Sequence, residues 1–164
     1  IKISLMHGNR DFLIGKDFCS YINGILLSDH HIYQDGDSKI LLLHGDTLCT
    51  DDVKYQEFRR LVRNENWTRD FLSKSLQERI NIASGLRDMS NDETGNKVSE
   101  IMDVNQEAVI EVSKKFKIKK MIHGHTHRPF FHNENNLQRV VLSDWENEVS
   151  FATVVNGEIS LKTF

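Results

Sequence analysis

Three apolar runs, each of which empties into a histidine-glycine loop, constrain this chain more than any other feature. IKISLMHGN opens the sequence, KILLLHGD spans 39–46, and KIKKMIHGHTH closes at 127. Each run is short and rich in aliphatic residues, as a buried strand requires, and each ends in a glycine that permits a tight turn. In an open α/β sheet, side chains just beyond the carboxyl ends of strands meet at one rim, however far apart they lie in sequence. The repeated strand-then-histidine pattern therefore predicts a mixed α/β domain with a polar, histidine-lined site at the end of its sheet.

The remaining segments fill in around these runs. YINGILL and the Asp35-Gly36-Asp37-Ser38 turn suggest a short strand and a hairpin entering the second long run. Thr50-Asp51-Asp52 can cap a helix that carries Tyr55, Phe58, Leu61 and Val62, and Trp67, Phe71, Leu76, Ile80 and Ala83 form a second helical stripe. Residues 87–97 read as polar and turn-rich, and Val98, Ile101, Met102, Val109, Val112 and Phe116 mark a third helix. RVVLSDW and SFATVV read as strands, and Asn156-Gly157 predicts a hairpin into EISLKTF.

With 164 residues, one domain is expected, and 38% hydrophobic content suits a soluble core. A net charge of -3 gives no general reason to expect nucleic acid. Cys19 and Cys49 are too few for a disulfide framework or a zinc ribbon, so core thiols in a reducing cytoplasm are expected. No apolar run reaches the length of a bilayer span, IKISLMHG lacks the long apolar core of a signal peptide, and neither a linker nor an internal repeat is visible.

Neutral imidazoles and an amide oxygen, without thiolates, suit manganese, iron, cobalt or zinc better than copper(I). His125 and His127 stand two apart on an irregular loop, where each can serve a different one of two neighbouring ions. Taken alone, His44 is more often a hydrogen-bonded residue at a strand end than a ligand, and His30, His31 and His132 keep that ordinary reading. What lifts His44 above it is the ordered combination of GNRD, HGD and GHTHRP.

HGNRDFLIGKDF, LLLHGDTLCTDD, IMDVN and MIHGHTHRP resemble the signatures of the calcineurin-like metallophosphoesterases. More closely, the chain resembles the UDP-2,3-diacylglucosamine hydrolase family of lipid A biosynthesis, with Arg10 where most related phosphoesterases carry histidine. The resemblance implies a β-sandwich core flanked by helices, with a helical lid inserted at about 53–97. It implies that Asn9, His44 and His125 ligate one Mn2+ and His127 the other, and that Asn9, Arg10 and His125 take part in catalysis. Asn9, Arg10, Asp52, Ser90, Lys97 and His125 correspond to substrate contacts, and Thr94 stands where the family often has asparagine.

The implied reaction is hydrolysis of the pyrophosphate of UDP-2,3-diacylglucosamine to UMP and 2,3-diacylglucosamine 1-phosphate. Two metal ions would generate the hydroxide and neutralise phosphoryl charge. Arg10 would grip phosphate oxygens with a fixed fork, and Lys97 would add a point charge. Trp67, Phe71, Leu72 and Ile80 could shelter acyl chains or touch a bilayer, although ordinary core packing is the commoner use of such residues. The resemblance places the chain in the cytoplasm, peripheral on the inner membrane, with a diacylated sugar nucleotide as its partner.

The family's Asp-x-His and Gly-Asp motifs do not precede HGNRD, so the chain corresponds to the C-terminal part of such an enzyme. Ligand count then predicts weak metal binding and little hydrolysis by these residues alone, and exposed sheet edges open to aggregation or pairing. Two other readings share the same residues: another metal-dependent phosphodiesterase or nucleotide pyrophosphatase, and a non-catalytic lipid- or metal-binding remnant.

Overall fold

A computed structural model describes residues 1–95, 103–146 and 149–164, with 89–95 described by backbone alone. The chain divides into two compact units, one formed by Ile1–Cys49 with Val104–Phe164 and the other by Thr50–Asp103. The 53–97 segment expected as an insertion lies inside the second.

The first unit is built on a mixed sheet in the order β3-β4-β5-β7-β6, from β3 (His30–Asp35), β4 (Ser38–Leu43), β5 (Lys120–His123), β6 (Phe130–Glu134) and β7 (Leu137–Val141). The long second run of the sequence is β4, and its side chains show the period of a two-faced strand. Leu41 and Leu43 join Met121, Leu137, Val109 and Ile118 in one core, with Val112 and Phe116 packed against it. Val109, Val112 and Phe116 come from α5 (Gln106–Phe116), which covers that face. Ile40 points the other way and packs with Ile122, Val140 and Ile159, flanked by Ala152, Val154 and Leu161. These last residues belong to the antiparallel hairpin of β8 (Ser150–Val155) and β9 (Glu158–Thr163), so the sheet is sandwiched between a helix and a second β layer. This is the α/β sandwich expected from the sequence.

Polar contacts pin the hairpin to the sheet. Lys120 Nζ donates to the carbonyl of Gly157 at 2.6 Å and reaches Glu158 at 3.2 Å. The Gly157 amide donates to the Asp35 carboxylate at 2.6 Å. Gly157 sits at φ 79, and a Cβ there would fall 2.2 Å from Ser38 Oγ, so the predicted Asn-Gly turn needs its glycine twice over.

The opening run forms only a short strand, β1 (Ile3–Leu5), parallel to β2 (Gly24–Leu26). Between them lies α1 (Lys16–Tyr21), a helix too short to leave a periodic signal in sequence, in a stretch expected to be dominated by strands. β6 leaves no signal in the sequence either. Among the described residues it is an edge strand, paired with β7 and largely exposed on both faces, so no alternation marks it.

The second unit is helical. Asp52 caps α2 (Val53–Val62) by accepting the Tyr55 amide at 3.1 Å, as Thr-Asp-Asp suggested. Trp67 and Phe71 stack on α3 (Glu65–Ser73), with ring centroids 5.1 Å apart. The single stripe read from Trp67 to Ala83 is in fact two helices. Ser75 and Glu78 form a reciprocal capping box, the Ser75 amide and hydroxyl donating to Glu78 and the Glu78 amide to Ser75 Oγ, which starts α4 (Leu76–Gly95). Those hydrogen bonds, side chain first and then backbone, hold the exposed Glu78 carboxyl below its usual range.

Residues 87–95, read as turn-rich, continue α4 until Gly95. The third helix begins at Gln106, capped by Asn105, rather than near Val98. Val98, Ile101 and Met102 lie outside the described residues.

Candidate functional site

β4, β5 and β7 run parallel, so their carboxyl ends share one rim of the sheet. His44 follows β4, and Gly124 through His127 follow β5. The His125 Nδ1 and His44 Nε2 atoms are 3.1 Å apart, with the rings edge to face at 69°. The rim thus joins two histidines that are 81 positions apart in sequence.

Close backbone packing forces this approach. The Gly124 amide donates to the His44 carbonyl at 2.9 Å and extends the strand pairing into the loops. Gly45 adopts φ 117, and a Cβ there would lie 2.9 Å from both the Gly124 carbonyl and His123 Nδ1. Only glycine fits on both counts. His125 and His127 themselves take left-handed backbone, at φ 67 and 53. Histidine visits this region more readily than most residues, but the conformation still costs free energy that surrounding structure must hold in place.

Beneath the loop lies His123, 1% exposed, with Arg139 Nη1 3.1 Å from its Nε2. A guanidinium can only donate, so Nε2 accepts and the ring proton sits on Nδ1, which donates to the Gly124 carbonyl at 2.9 Å. Burial, opposed by the Gly124 hydrogen bond and reinforced by Arg139, lowers the His123 pKa to about 4. The ring is a neutral strut under the loop, and sequence alone gave no reason to separate it from its neighbours in HGHTH.

The GNRD loop reaches the same place. A Cβ on Gly8 would stand 3.2 Å from His44 Cε1, so the loop backbone lies against the His44 ring. Asn9 follows immediately and is half-buried, and Arg10 is exposed. The loop is closed by the Gly8 amide donating to Asp11 Oδ1 and by a 2.6 Å contact between His7 Nε2 and the Ile14 carbonyl.

The expected site residues therefore divide. His44 and His125 meet, and the loop that carries Asn9 abuts His44. His127 is half-exposed, with Nδ1 3.4 Å from the Asp144 carboxylate. The sequence shows Asp144 only as part of a strand, because nothing in LSDW reveals that β7 lies parallel to β5 and delivers its next residues to the same rim.

Asp52 serves as the cap of α2. Ser90 and Thr94 fall on α4, where only backbone is described, and Lys97 lies outside the described residues. His30 stacks on Phe116 and His132 meets Phe130 edge to face, in keeping with ordinary structural histidines.

Two imidazole nitrogens at 3.1 Å fit a divalent ion. Adjacent ligands about 2.1 Å from one metal, at a right angle, are themselves separated by about 3.0 Å. Without metal, one nitrogen must donate to the other, and a cation can replace that proton because each neutral imidazole has a lone pair to offer. Among the described residues, no group of three or more His, Cys, Asp or Glu side chains forms a complete cluster. The fit is that of a two-histidine corner, with the backbone of Gly8, next to Asn9, against the His44 ring.

Comparison with known proteins agrees with this chemistry. The calcineurin-like phosphoesterase family matches residues 1–129. A UDP-2,3-diacylglucosamine hydrolase of Pectobacterium carotovorum is 45% identical over all of this chain and 70% of its own length. That of Haemophilus influenzae is 45% identical over 98% of this chain and 67% of its own, and that of Marinobacter nauticus 44% identical over 90% and 62%. The chain thus spans about two thirds of the length of these relatives. A solved archaeal phosphodiesterase aligns with 99% of the chain and 68% of its own, at a TM-score of 0.49 and 13% identity. On the family match and the close relatives together, the chain belongs to the calcineurin-like phosphoesterases and, within them, to the family of the UDP-2,3-diacylglucosamine hydrolases.

Proposed function

We propose that this chain carries the histidine rim of a metal-dependent phosphoric anhydride hydrolase that splits the pyrophosphate of UDP-2,3-diacylglucosamine into UMP and 2,3-diacylglucosamine 1-phosphate. The observation that carries the reading is the 3.1 Å approach of His125 to His44 at the ends of two parallel strands. The names of relatives 40–45% identical over nearly the whole chain supply the substrate.

A divalent ion, when bound, supplies a Lewis acid and a water acidic enough to attack near neutral pH. His44 and His125 would hold one ion with the aid of Asn9, and His127 would serve a second; Mn2+ is the proposed metal. Arg10, exposed one residue beyond Asn9, would present a planar, permanently charged fork to phosphate oxygens. His125 combines the roles of ligand and neighbour to the reacting phosphate, while Asp52, Ser90, Thr94 and Lys97 remain the proposed contacts to the rest of the substrate.

The helical unit contains the segment proposed as the family's lid insertion. Its exposed apolar side chains, among them Leu61, Leu72, Leu76 and Ile80, suit acyl chains or the surface of a membrane. No helix among the described residues is long and apolar enough to cross a bilayer. The proposed attachment, on the cytoplasmic face of the inner membrane, is peripheral.

The test is Mn2+-dependent release of UMP from UDP-2,3-diacylglucosamine, together with Mn2+ uptake. A two-histidine corner is a small donor set, so uptake by these 164 residues is expected to be weak and hydrolysis slow. Both should fall at least about 10-fold in His44→Ala and in His125→Ala. UMP release that ignores both substitutions, or that proceeds equally after chelation, would remove the basis of the proposal. Competition by non-acylated nucleotide pyrophosphates at equal strength would point to a broader phosphodiesterase.

A further inference from the structure

The sheet order places the GHTHRP loop in an unusual position. β5 and β6 are consecutive in sequence, yet β7 lies between them. The loop from Gly124 to Pro129 must therefore arch over the carboxyl end of β7, where Phe130 pairs with Val141. The residues that follow β7 rise directly beneath that arch, and one of them is Asp144.

Asp144 is held with more precision than a surface loop requires. The Leu142 amide donates to the His123 carbonyl at 2.8 Å. Ser143 and Ser150 exchange reciprocal hydrogen bonds, amide to hydroxyl, at 2.7 and 2.9 Å, and Ser150 is fully buried. The Trp145 indole donates to the Ser150 carbonyl at 2.7 Å. Residues on both sides of Asp144 are thus fixed to the strand framework. Its own carboxylate is divided: Oδ1 accepts the Glu146 amide at 3.1 Å, and Oδ2 faces His127 Nδ1 at 3.4 Å.

We propose that Asp144 is the positioning residue of His127, holding its proton on Nδ1 so that Nε2 is presented as a lone pair toward the rim. The proposal rests on the functional reading above only in what Nε2 then serves, namely a divalent ion or a phosphate-bound water. An imidazole in water prefers the proton on Nε2, and the partner at one nitrogen decides which tautomer a protein histidine adopts. A carboxylate behind a ligating histidine fixes both the tautomer and the plane of the ring. His127 needs such a partner more than His125 does, because its ring is half-exposed, whereas that of His125 already has the His44 ring at 3.1 Å. The 3.4 Å separation is an ion-pair distance that a small rotation of an exposed ring closes to a hydrogen bond.

The experiment uses nitrogen-15 NMR of the histidine rings in the metal-free chain, followed by titration with Mn2+ alone. In the parent protein His127 is expected as the Nδ1–H tautomer. Asp144→Ala should shift it toward Nε2–H and weaken the uptake of Mn2+ read at the His127 ring signals about 10-fold or more, while the His44 and His125 signals respond as in the parent. Asp144→Asn keeps an acceptor oxygen and the turn to Glu146, and should keep the tautomer with uptake within a few-fold of the parent. An unchanged His127 tautomer in Asp144→Ala overturns the proposal, as does an asparagine variant as damaged as the alanine one. Failure of the parent to take up Mn2+ would count against the hydrolase reading instead, while the ring signals would still decide the role of Asp144.

Discussion

The sheet unit and the helical unit spend their apolar residues differently. In the first, Ile40, Leu41, Met121 and Val140 are wholly buried, and the alternation along β4 divides them between two cores. In the second, Val62 and Phe71 are buried while Leu61 and Leu76 remain 57% and 66% exposed. The same amino acids build a rigid frame in one unit and an apolar surface in the other. A residue's hydrophobicity therefore says that it favours burial, and its partners decide whether it obtains it.

The largest expected contrast comes from truncating one leucine in each unit. Leu41→Ala removes a fully buried side chain from a filled core and should cost about 3 kcal/mol in urea unfolding. At the other extreme, Leu76→Gln changes an exposed position and should stay within about 0.5 kcal/mol, while weakening any association with lipid vesicles. A comparable loss at the two positions would end the distinction drawn between the units.

Acid should act through the sheet unit. His123 has a folded pKa of about 4 against an ordinary value of 6.5, so between them the unfolded chain binds a proton that the native chain refuses. Native stability accordingly rises with pH through that window, and falls by roughly 3 kcal/mol as pH drops from above 6.5 to below 4. Unfolding curves at several pH values check this, and His123→Gln should flatten the slope. A smaller effect is expected in the helical unit, where Asp52→Ala should cost about 1 kcal/mol by uncapping α2. Asp52→Asn keeps the cap, so a loss of substrate affinity without a loss of stability in that variant would separate the carboxylate's binding role from its structural one.

Local signals were legible where one interaction dominates. Thr-Asp-Asp announced the cap of α2, Asp-Gly and Asn-Gly announced their hairpins, and the β4 run announced a buried strand. The Ser75-x-x-Glu78 box carried a signal just as clear, but the apolar spacing across it suggested one continuous helix. β6 left no trace, because an edge strand exposed on both faces draws its order from β7 alone.

Of the site, the sequence by itself determined which residue types were present, that each follows a strand-like run, and that glycine must allow the turns. This much follows from periodicity and backbone sterics, which act between near neighbours. Only the tertiary structure decided that His44 and His125 meet while His127 turns to Asp144. Parallel strand order and the crossing of a loop over β7 set those partners, and such long-range juxtapositions leave no mark on the spacing of residues along the chain.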